Sequence, residues 1–514
     1  MDFFSAFFAI LFLGSVLARV TVGRKQFGGV YVAALILASV LFYAWGEQVD
    51  VRAQIASSRT FTPMYVYLLV LVASAGVNYL GGVVISRLQN PHGRRGALAM
   101  LILLNLGLLA YFKYTGFFIS NVNALSGGRI ALPAPPNKTL PLGISYYTFA
   151  ALSYLLDVYF KRTPLQKNPA NVFLFLSFFP KLISGPITRA SDFFKQLEQG
   201  NPISIAMVNE SVYLFAQGAF LKVVCADSVA AIVNENWNMG VNPNAHALDL
   251  ILLALLYSVQ IFCDFAGYSQ MARGIALLLG FRLPVNFLYP YTANSFTAFW
   301  RNWHVSLTEW VRIYLFYPLE RLSRKKAWLF FTPILVMFLT GLWHGANWTF
   351  VVWGLMHGVG MALERILGLN RADVKPLPRL TWALLTQFAV VVGWVIFRSS
   401  SLEGALAYFQ NIYHGLGSAE LRGFSDAFLA SAFPAITSWR ASAGTHIFSA
   451  IVPVILDTLP ILSVVILHLH GWAVQRKENA ELSPLALAVL TGVLLFLTLS
   501  AYPLEIGKPL YGSF

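Results

Sequence analysis

Phe338-Leu339-Thr340-Gly341-Leu342-Trp343-His344-Gly345-Ala346-Asn347-Trp348 places a histidine inside a stretch apolar enough to lie in a membrane. An ionisable side chain at that depth is costly, so something must offset it. Histidine is also the side chain most readily tuned for proton transfer near neutral pH. The placement points to a site inside a membrane domain rather than on a soluble module.

The rest of the chain agrees with that setting. Of 514 residues, 57% are hydrophobic and 11% charged, and the mean hydropathy is +0.64. A soluble globular chain carries about 25% charged residues. Apolar runs of spanning length, about 20 residues each, lie at 3–18, 28–46, 62–86, 97–119, 141–160, 205–233, 249–280, 328–347, 349–367, 380–397, 447–470 and 482–502. A further apolar segment, 171–186, is broken by Pro180, Gly185 and Pro186. Broken backbone at membrane depth requires protein or a watery cavity around it, which predicts a re-entrant segment there. The expected fold is all-α: one polytopic membrane domain over 1–514 with about 11–13 transmembrane or re-entrant helices. It divides into amino-terminal spans at 3–160, a core at 161–370, and carboxy-terminal spans at 371–514.

The first run lacks the basic flank and cleavage site of a signal peptide and reads as a retained helix. Basic clusters at Arg19/Arg24/Lys25, Arg87/Arg94/Arg95, Lys161/Arg162/Lys167 and Arg324/Lys325/Lys326 alternate with loops poorer in cations, 47–60 and 120–140. By the positive-inside rule the basic loops face the cytoplasm and the amino terminus faces outward. The polar stretch near 398–446 then lies outside. The net charge of +14 is scattered over short loops, which suits topology and contact with anionic membrane lipid rather than nucleic acid. Cys225 and Cys263 form no paired motif. The nine histidines are mostly isolated, with His468 and His470 lacking a companion cluster, so metal ligation is disfavoured.

Several polar residues stand out in the apolar background. Gln260, Asp264, Tyr268 and Arg273 recur at about four-residue spacing, so most share one helix face. They read either as a polar cavity wall or as a packing hydrogen bond with Asp264 paired to an arginine. Over 294–316, Phe299, Trp303, Trp310 and Tyr314 can share one face opposite Arg301, His304, Glu309 and Arg312, which predicts a helix lying at the membrane interface. His304 falls on this segment, His344 in mid-span, and His357 on the next span. A lone buried histidine is ordinarily a packing residue. Small neighbours at Gly341, Gly345 and Ala346, and a further polar group at Asn347, favour a substrate site at His344. No nucleophile-elbow, Walker or dinucleotide motif is present, so the nucleophile is expected to be an acceptor hydroxyl.

Four stretches carry a family resemblance: Asp264-Phe265-Ala266-Gly267-Tyr268-Ser269, Phe299-Trp300-Arg301-Asn302-Trp303-His304-Val305-Ser306-Leu307, Gly341-Leu342-Trp343-His344-Gly345-Ala346 and Pro180-Lys181-Leu182-Ile183-Ser184-Gly185-Pro186-Ile187. With them the chain resembles the membrane-bound O-acyltransferase (MBOAT) family, in the bacterial branch of the alginate O-acetylation and teichoic-acid D-alanylation membrane proteins. The resemblance implies a ring of helices with funnels from both faces meeting at a catalytic histidine. It matches His344 to that histidine and His304 to the second, polar position, and makes these two the expected catalytic residues. Asp264, Tyr268, Trp303, Trp343, Asn302 and Asn347 would line the cavity, with an asparagine or an indole N–H stabilising the oxyanion. The chain departs from the alginate-type pattern at Glu320 to Lys326 and in its last residues, Tyr502 to Phe514.

The expected function is acyl transfer at the bacterial inner membrane. A cytoplasmic thioester, acetyl-CoA or an acyl carrier protein, would supply the acyl group as co-substrate, acetyl being the expected one. Hydroxyls of a cell-envelope polysaccharide would receive it, directly or through an envelope-facing acyltransferase partner. No bound cofactor is expected. The alternatives are a transporter or flippase, which the broken helix at 180–186 and Asp264 would also serve, and a scaffold that anchors a secreted acyltransferase without chemistry of its own.

Overall fold

A computed structural model describes residues 3, 5–22, 28–56, 64–127, 129–130, 132–133, 140–323, 325–369, 375–417, 425–432, 458–468 and 491–494. These residues form helices joined by turns, with one isolated bridge between Phe287 and Trp303. Among them, eight helices are long and apolar enough to cross a membrane. The protein is an all-α, multi-pass membrane protein. The eight coincide with the runs expected at 28–46, 62–86, 97–119, 205–233, 249–280, 328–347, 349–367 and 380–397. The third of these begins earlier than the hydropathy, at Pro91, because the Asn90 side chain accepts from the His92 N–H at 3.0 Å. Pro91 then sits in the first turn, where its missing N–H costs nothing. The runs at 3–18 and 141–160 give shorter helices, Ala6–Val22 and Ile144–Tyr159. The spans expected at 447–470 and 482–502 lie largely outside the described residues, as do much of the loop near 398–446, Arg24, Lys25, Arg324 and the last residues from Tyr502.

The chain divides into two compact units, Met1–Phe215 with Ser269–Val285, and Ala216–Tyr268 with Asn286–Phe514. The helices of the first unit are α1 (Ala6–Val22), α2 (Gly29–Ala56), α3 (Met64–Arg87), α4 (Pro91–Lys113), α5 (Thr115–Leu125), α6 (Ile144–Tyr159), α7 (Pro169–Ser177), α8 (Phe179–Leu182) and α9 (Ala190–Gln199). Helix α10 (Ile205–Ala219) lies mostly in this unit. Lipid tails give helices no hydrophobic reason to associate, so packing and polar contacts must do so. Asn78 of α3 and Asn105 of α4 exchange amide hydrogen bonds at 3.0 and 2.9 Å. Arg19 of α1 is buried and donates to the carbonyls of Leu277, Leu278 and Asn201. Read from sequence as a topogenic loop charge, Arg19 instead answers carbonyls left open at a helix C-terminus. The apolar segment 171–186 is interrupted, with the break at Phe178. Pro180 lies in the first turn of α8, and the Phe179 N–H there is taken by Ser39 Oγ at 3.3 Å.

In the second unit, α10 passes into a π-helical turn at Phe220–Asp227, followed by α11 (Ser228–Asn236) and α12 (Ala247–Leu278), the end of α12 belonging to the first unit. Next come α13 (Phe296–Asn302), α14 (Val305–Val311), α15 (Tyr317–Glu320), α16 (Lys326–His344), α17 (Trp348–Leu367), α18 (Pro376–Arg398), α19 (Leu402–Gly417) and α20 (Asp426–Ala432). Helices α16 and α17 meet backbone to backbone. A Cβ on Gly341 would stand 2.3 Å from the Phe350 carbonyl oxygen, and one on Gly354 would stand 2.3 Å from that of Met337. Because the obstacle is backbone, no rotamer change relieves it. Gly354→Val should cost about 1–3 kcal/mol or more through overpacking, read as a lower unfolding midpoint in detergent. An unchanged midpoint would contradict the packing.

Candidate active site

Helix α16 carries its apolar residues to His344 and stops there. Gly345 turns extended (φ −164°, ψ 155°), and Asn347 starts α17 as its N-cap, accepting from the Thr349 N–H at 3.1 Å. The histidine expected in mid-span is therefore the last residue of a helix, 4% exposed. Its imidazole is held by ring contacts, with centroids 5.0 Å from Trp343, 5.1 Å from Trp353 and 5.5 Å from Phe397, each near perpendicular. Edge-to-face packing of this kind orients a ring as well as burying it. The Asn347 amide is engaged on both sides, since its Nδ2 donates to the Ser400 carbonyl at 2.8 Å. That fixes a helix start.

His304 is reached through a different irregularity. The amphipathic helix expected over 294–316 is broken into α13, α14, a π-helical turn at Arg312–Phe316 and α15. The break falls at Trp303 and His304, where His304 adopts the left-handed region (φ 43°, ψ 54°). Such a conformation persists in a non-glycine residue only where its surroundings over-determine it. Here Asn286 does so. Its carbonyl accepts from the Val305 N–H at 2.9 Å and its Oδ1 from the Ser306 hydroxyl at 2.6 Å, while the Leu288 N–H donates to the Asn302 carbonyl at 2.9 Å. Trp303 and His304 end fully buried, not on an interfacial stripe. Trp303 lies near-parallel to Phe299 and packs against Trp394 at 4.7 Å. The Trp343 indole touches both imidazoles, with its centroid 6.3 Å from that of His304.

Asp264 is buried on α12 and paired, though not to an arginine. Lys222 Nζ, on the π-helical turn, reaches Asp264 Oδ1 and Asp227 Oδ1, each at 2.7 Å. Gly267, one turn along α12 from Asp264, lets the two backbones close up, since a Cβ there would lie 2.9 Å from Lys222 N. Phe265, next to Asp264, packs edge-on against His304 at 4.5 Å. Tyr268, next to Gly267 and one turn from Asp264, is also buried on α12. The structure thus joins His344, Trp343 and His304 directly, brings Asp264 in through its neighbour, and gives Asn302 a backbone role.

A cavity of about 290 Å³ runs beside α16. Pro333, Val336, Met337 and Thr340 form its wall along one helical stripe, which His344 continues one turn later. Trp300 and Leu307 add further apolar lining, while Arg301, Arg312 and Arg365 line it as cations on exposed side chains. Glu320, from the stretch that departs from the alginate-type pattern, also lines it and pairs with Arg365 at 2.7 Å. Apolar depth with cationic groups suits a ligand that is part chain and part anion. Among the described residues no three of His, Cys, Asp and Glu gather as a metal site would require.

Residues 160–402 match the model of the membrane-bound O-acyltransferase family, MBOAT. The chain is 35% identical over 414 residues to the probable alginate O-acetylase of Pseudomonas aeruginosa, covering 80% of this chain and 75% of that one. This chain belongs to the MBOAT family. It is also 32% identical to the peptidoglycan O-acetyltransferase of Helicobacter pylori, covering 79% and 77% of the two chains. A teichoic acid D-alanyltransferase of Bacillus subtilis is 26% identical over 350 residues, 62% of this chain and 88% of that one. As an MBOAT member with such relatives, the protein is a membrane O-acyltransferase. Lys222 and Arg365 escaped the reading of the sequence. A lone lysine in the apolar run 205–233 was the available signal for the first; nothing in the spacing marked the second.

Two outcomes follow from the site. Lys222→Met leaves two buried carboxylates without their shared cation, which should cost about 3–5 kcal/mol. The Lys222→Met/Asp227→Asn/Asp264→Asn triple variant should recover much of that loss in a detergent melt. Burial pushes the His304 imidazole down from 6.5 to about 3. The unfolded chain then binds the extra proton between those values, so stability rises with pH across the window and is lost as pH falls below about 6.5. The melting difference between the native protein and His304→Asn should therefore be larger at pH 7.5 than at pH 4.5. A difference that grows on acidification would contradict the burial.

Proposed function

We propose that the protein takes an acetyl group from a cytoplasmic thioester, acetyl-CoA or an acyl carrier protein, and passes it to hydroxyls of a cell-envelope polysaccharide at the bacterial inner membrane. Transfer to the polymer is direct or goes through an envelope-facing acyltransferase partner. The observation that carries this reading is the single stripe of α16, whose cavity-lining residues lead in one turn to His344. The relatives named for O-acetylation favour acetyl over other acyl groups.

In this reading the cavity holds the thioester arm, with its anionic part at Arg301, Arg312 and Arg365. The acceptor hydroxyl oxygen attacks the thioester carbonyl carbon while His344 takes the hydroxyl proton as general base. The tetrahedral intermediate collapses, the carbon–sulfur bond breaks, and the imidazolium returns its proton to the departing thiolate. His304 packs against Trp343, which also packs against His344, and serves as a positioning residue. The Trp343 N–H supplies a candidate donor to the oxyanion. Tyr268 and Trp303 line the acceptor side.

Purified protein incubated with labelled acetyl-CoA, and separately with an acyl carrier thioester, tests the assignment. His344→Ala should lower thioester cleavage at least about 100-fold while leaving the melting profile intact. Arg301→Ala/Arg365→Ala should raise the donor KM more than it lowers kcat. Retained cleavage in the histidine variant would refute the catalytic role.

A further inference from the structure

The amino-terminal unit buries a positive charge that acyl transfer at His344 does not use. Lys181 lies in α8, within the interrupted segment, and is 6% exposed. Its ammonium sits 4.0 Å from the Phe175 ring centroid and 4.9 Å from that of Phe193. Its Nζ makes no hydrogen bond. Among the described residues of this unit the ion pairs go elsewhere, joining Arg162 to Asp157, Arg189 to Asp192 and Arg282 to Glu210. Two ring faces return only part of the hydration an ammonium loses on burial. A buried charge in this state calls for a counter-ion.

The space beside Lys181 has the size for one. Lys181 lines a pocket with Tyr146, Tyr147, Gly185 and Thr188, and its volume is about 10 Å³, room for about one water-sized sphere. Helix α8 comes close enough to the start of α6 that a Cβ on Gly143 would lie 2.2 Å from the Leu182 carbonyl oxygen. This wall cannot move outward without unpacking α6. The Thr188 hydroxyl donates to the Pro186 carbonyl at 3.3 Å, tyrosine hydroxyls can rotate to donate to an anion, and no carboxylate lines the pocket.

We propose that this pocket is a binding site for a single halide-sized monovalent anion, held by the Lys181 ammonium between the aromatic faces and the wall hydroxyls. A tetrahedral oxyanion such as phosphate exceeds the space. The anion acts as the fixed counter-charge that lets the interrupted segment stay buried.

The full chain in detergent tests this with chloride, gluconate and phosphate at equal ionic strength. The native protein should show a saturable rise in melting midpoint of roughly 2 °C or more in chloride over gluconate, and Lys181→Met should show none. Bromide substituted for chloride should give an anomalous scattering peak beside Nζ, a measurement that needs no variant should Lys181→Met fail to fold. Equal midpoints in chloride and gluconate, with no bromide peak, would mean that the amine is carried uncharged and would overturn the proposal. A chloride response retained in Lys181→Met would place the ion elsewhere. Saturable stabilisation by phosphate below the chloride range, dependent on Lys181, would overturn the size assignment.

Discussion

Helices α16 and α17 touch through bare backbone, and the arrangement around His344 depends on that contact. Gly341 and Gly354 each lie against a carbonyl of the partner helix, and Gly358 carries the contact on to Ile334, whose Cα would stand 2.7 Å from an added Cβ. In a setting without hydrophobic drive between helices, such close approach is the main source of attraction. It brings Trp353 to the His344 ring, and Pro333 and Met337, which meet α17 at Gly354 and Gly358, also line the cavity. A wider spacing would loosen the aromatic cage and the cavity wall together.

Polar groups in this membrane protein are answered locally and in small sets. Lys222 serves two carboxylates. Glu364, fully buried on α17, accepts from the Thr297 N–H and the Trp382 indole at 3.3 and 3.4 Å. Asn286 answers two groups beside His304. Asp227 shares the π-helical turn with Lys222, but Asp264 and Glu364 are answered from other elements, so polar side chains act as specific fasteners between helices. The two histidines are bounded in large part by aromatic rings, which orient them.

Much of this was legible in the sequence, because hydropathy over twenty residues reports spans directly. Eight runs became eight helices, and the two tryptophan–histidine pairs lie together, Trp343 touching both imidazoles. The failures have particular causes. His304 sits on a left-handed residue held by Asn286, eighteen positions earlier in the chain, and helical periodicity cannot register a tertiary break of that kind. His344 ends its helix because Asn347 prefers to cap the next one, a signal present in the residues but overshadowed by the apolar run. Of the two readings of Asp264, cavity wall or packing pair with an arginine, the pairing holds but with a lysine on a π-helical turn, and that turn widens the helix without leaving a mark in composition. Arg19 had the pattern of a loop charge and a very different fate.

That fate bears on how the protein is made. Arg19 lies in α1, and its partner carbonyls at Asn201, Leu277 and Leu278 are 182, 258 and 259 residues downstream, the last two being the farthest. At about 5–20 residues per second, the guanidinium waits roughly 13–50 s for the last two to be synthesised. During that interval α1 carries an incompletely answered charge and has reason to stay at the membrane surface or with an insertion factor. The amino-terminal unit is thus closed by a segment from beyond its own continuous stretch, so its last step of assembly is timed by the completion of α12.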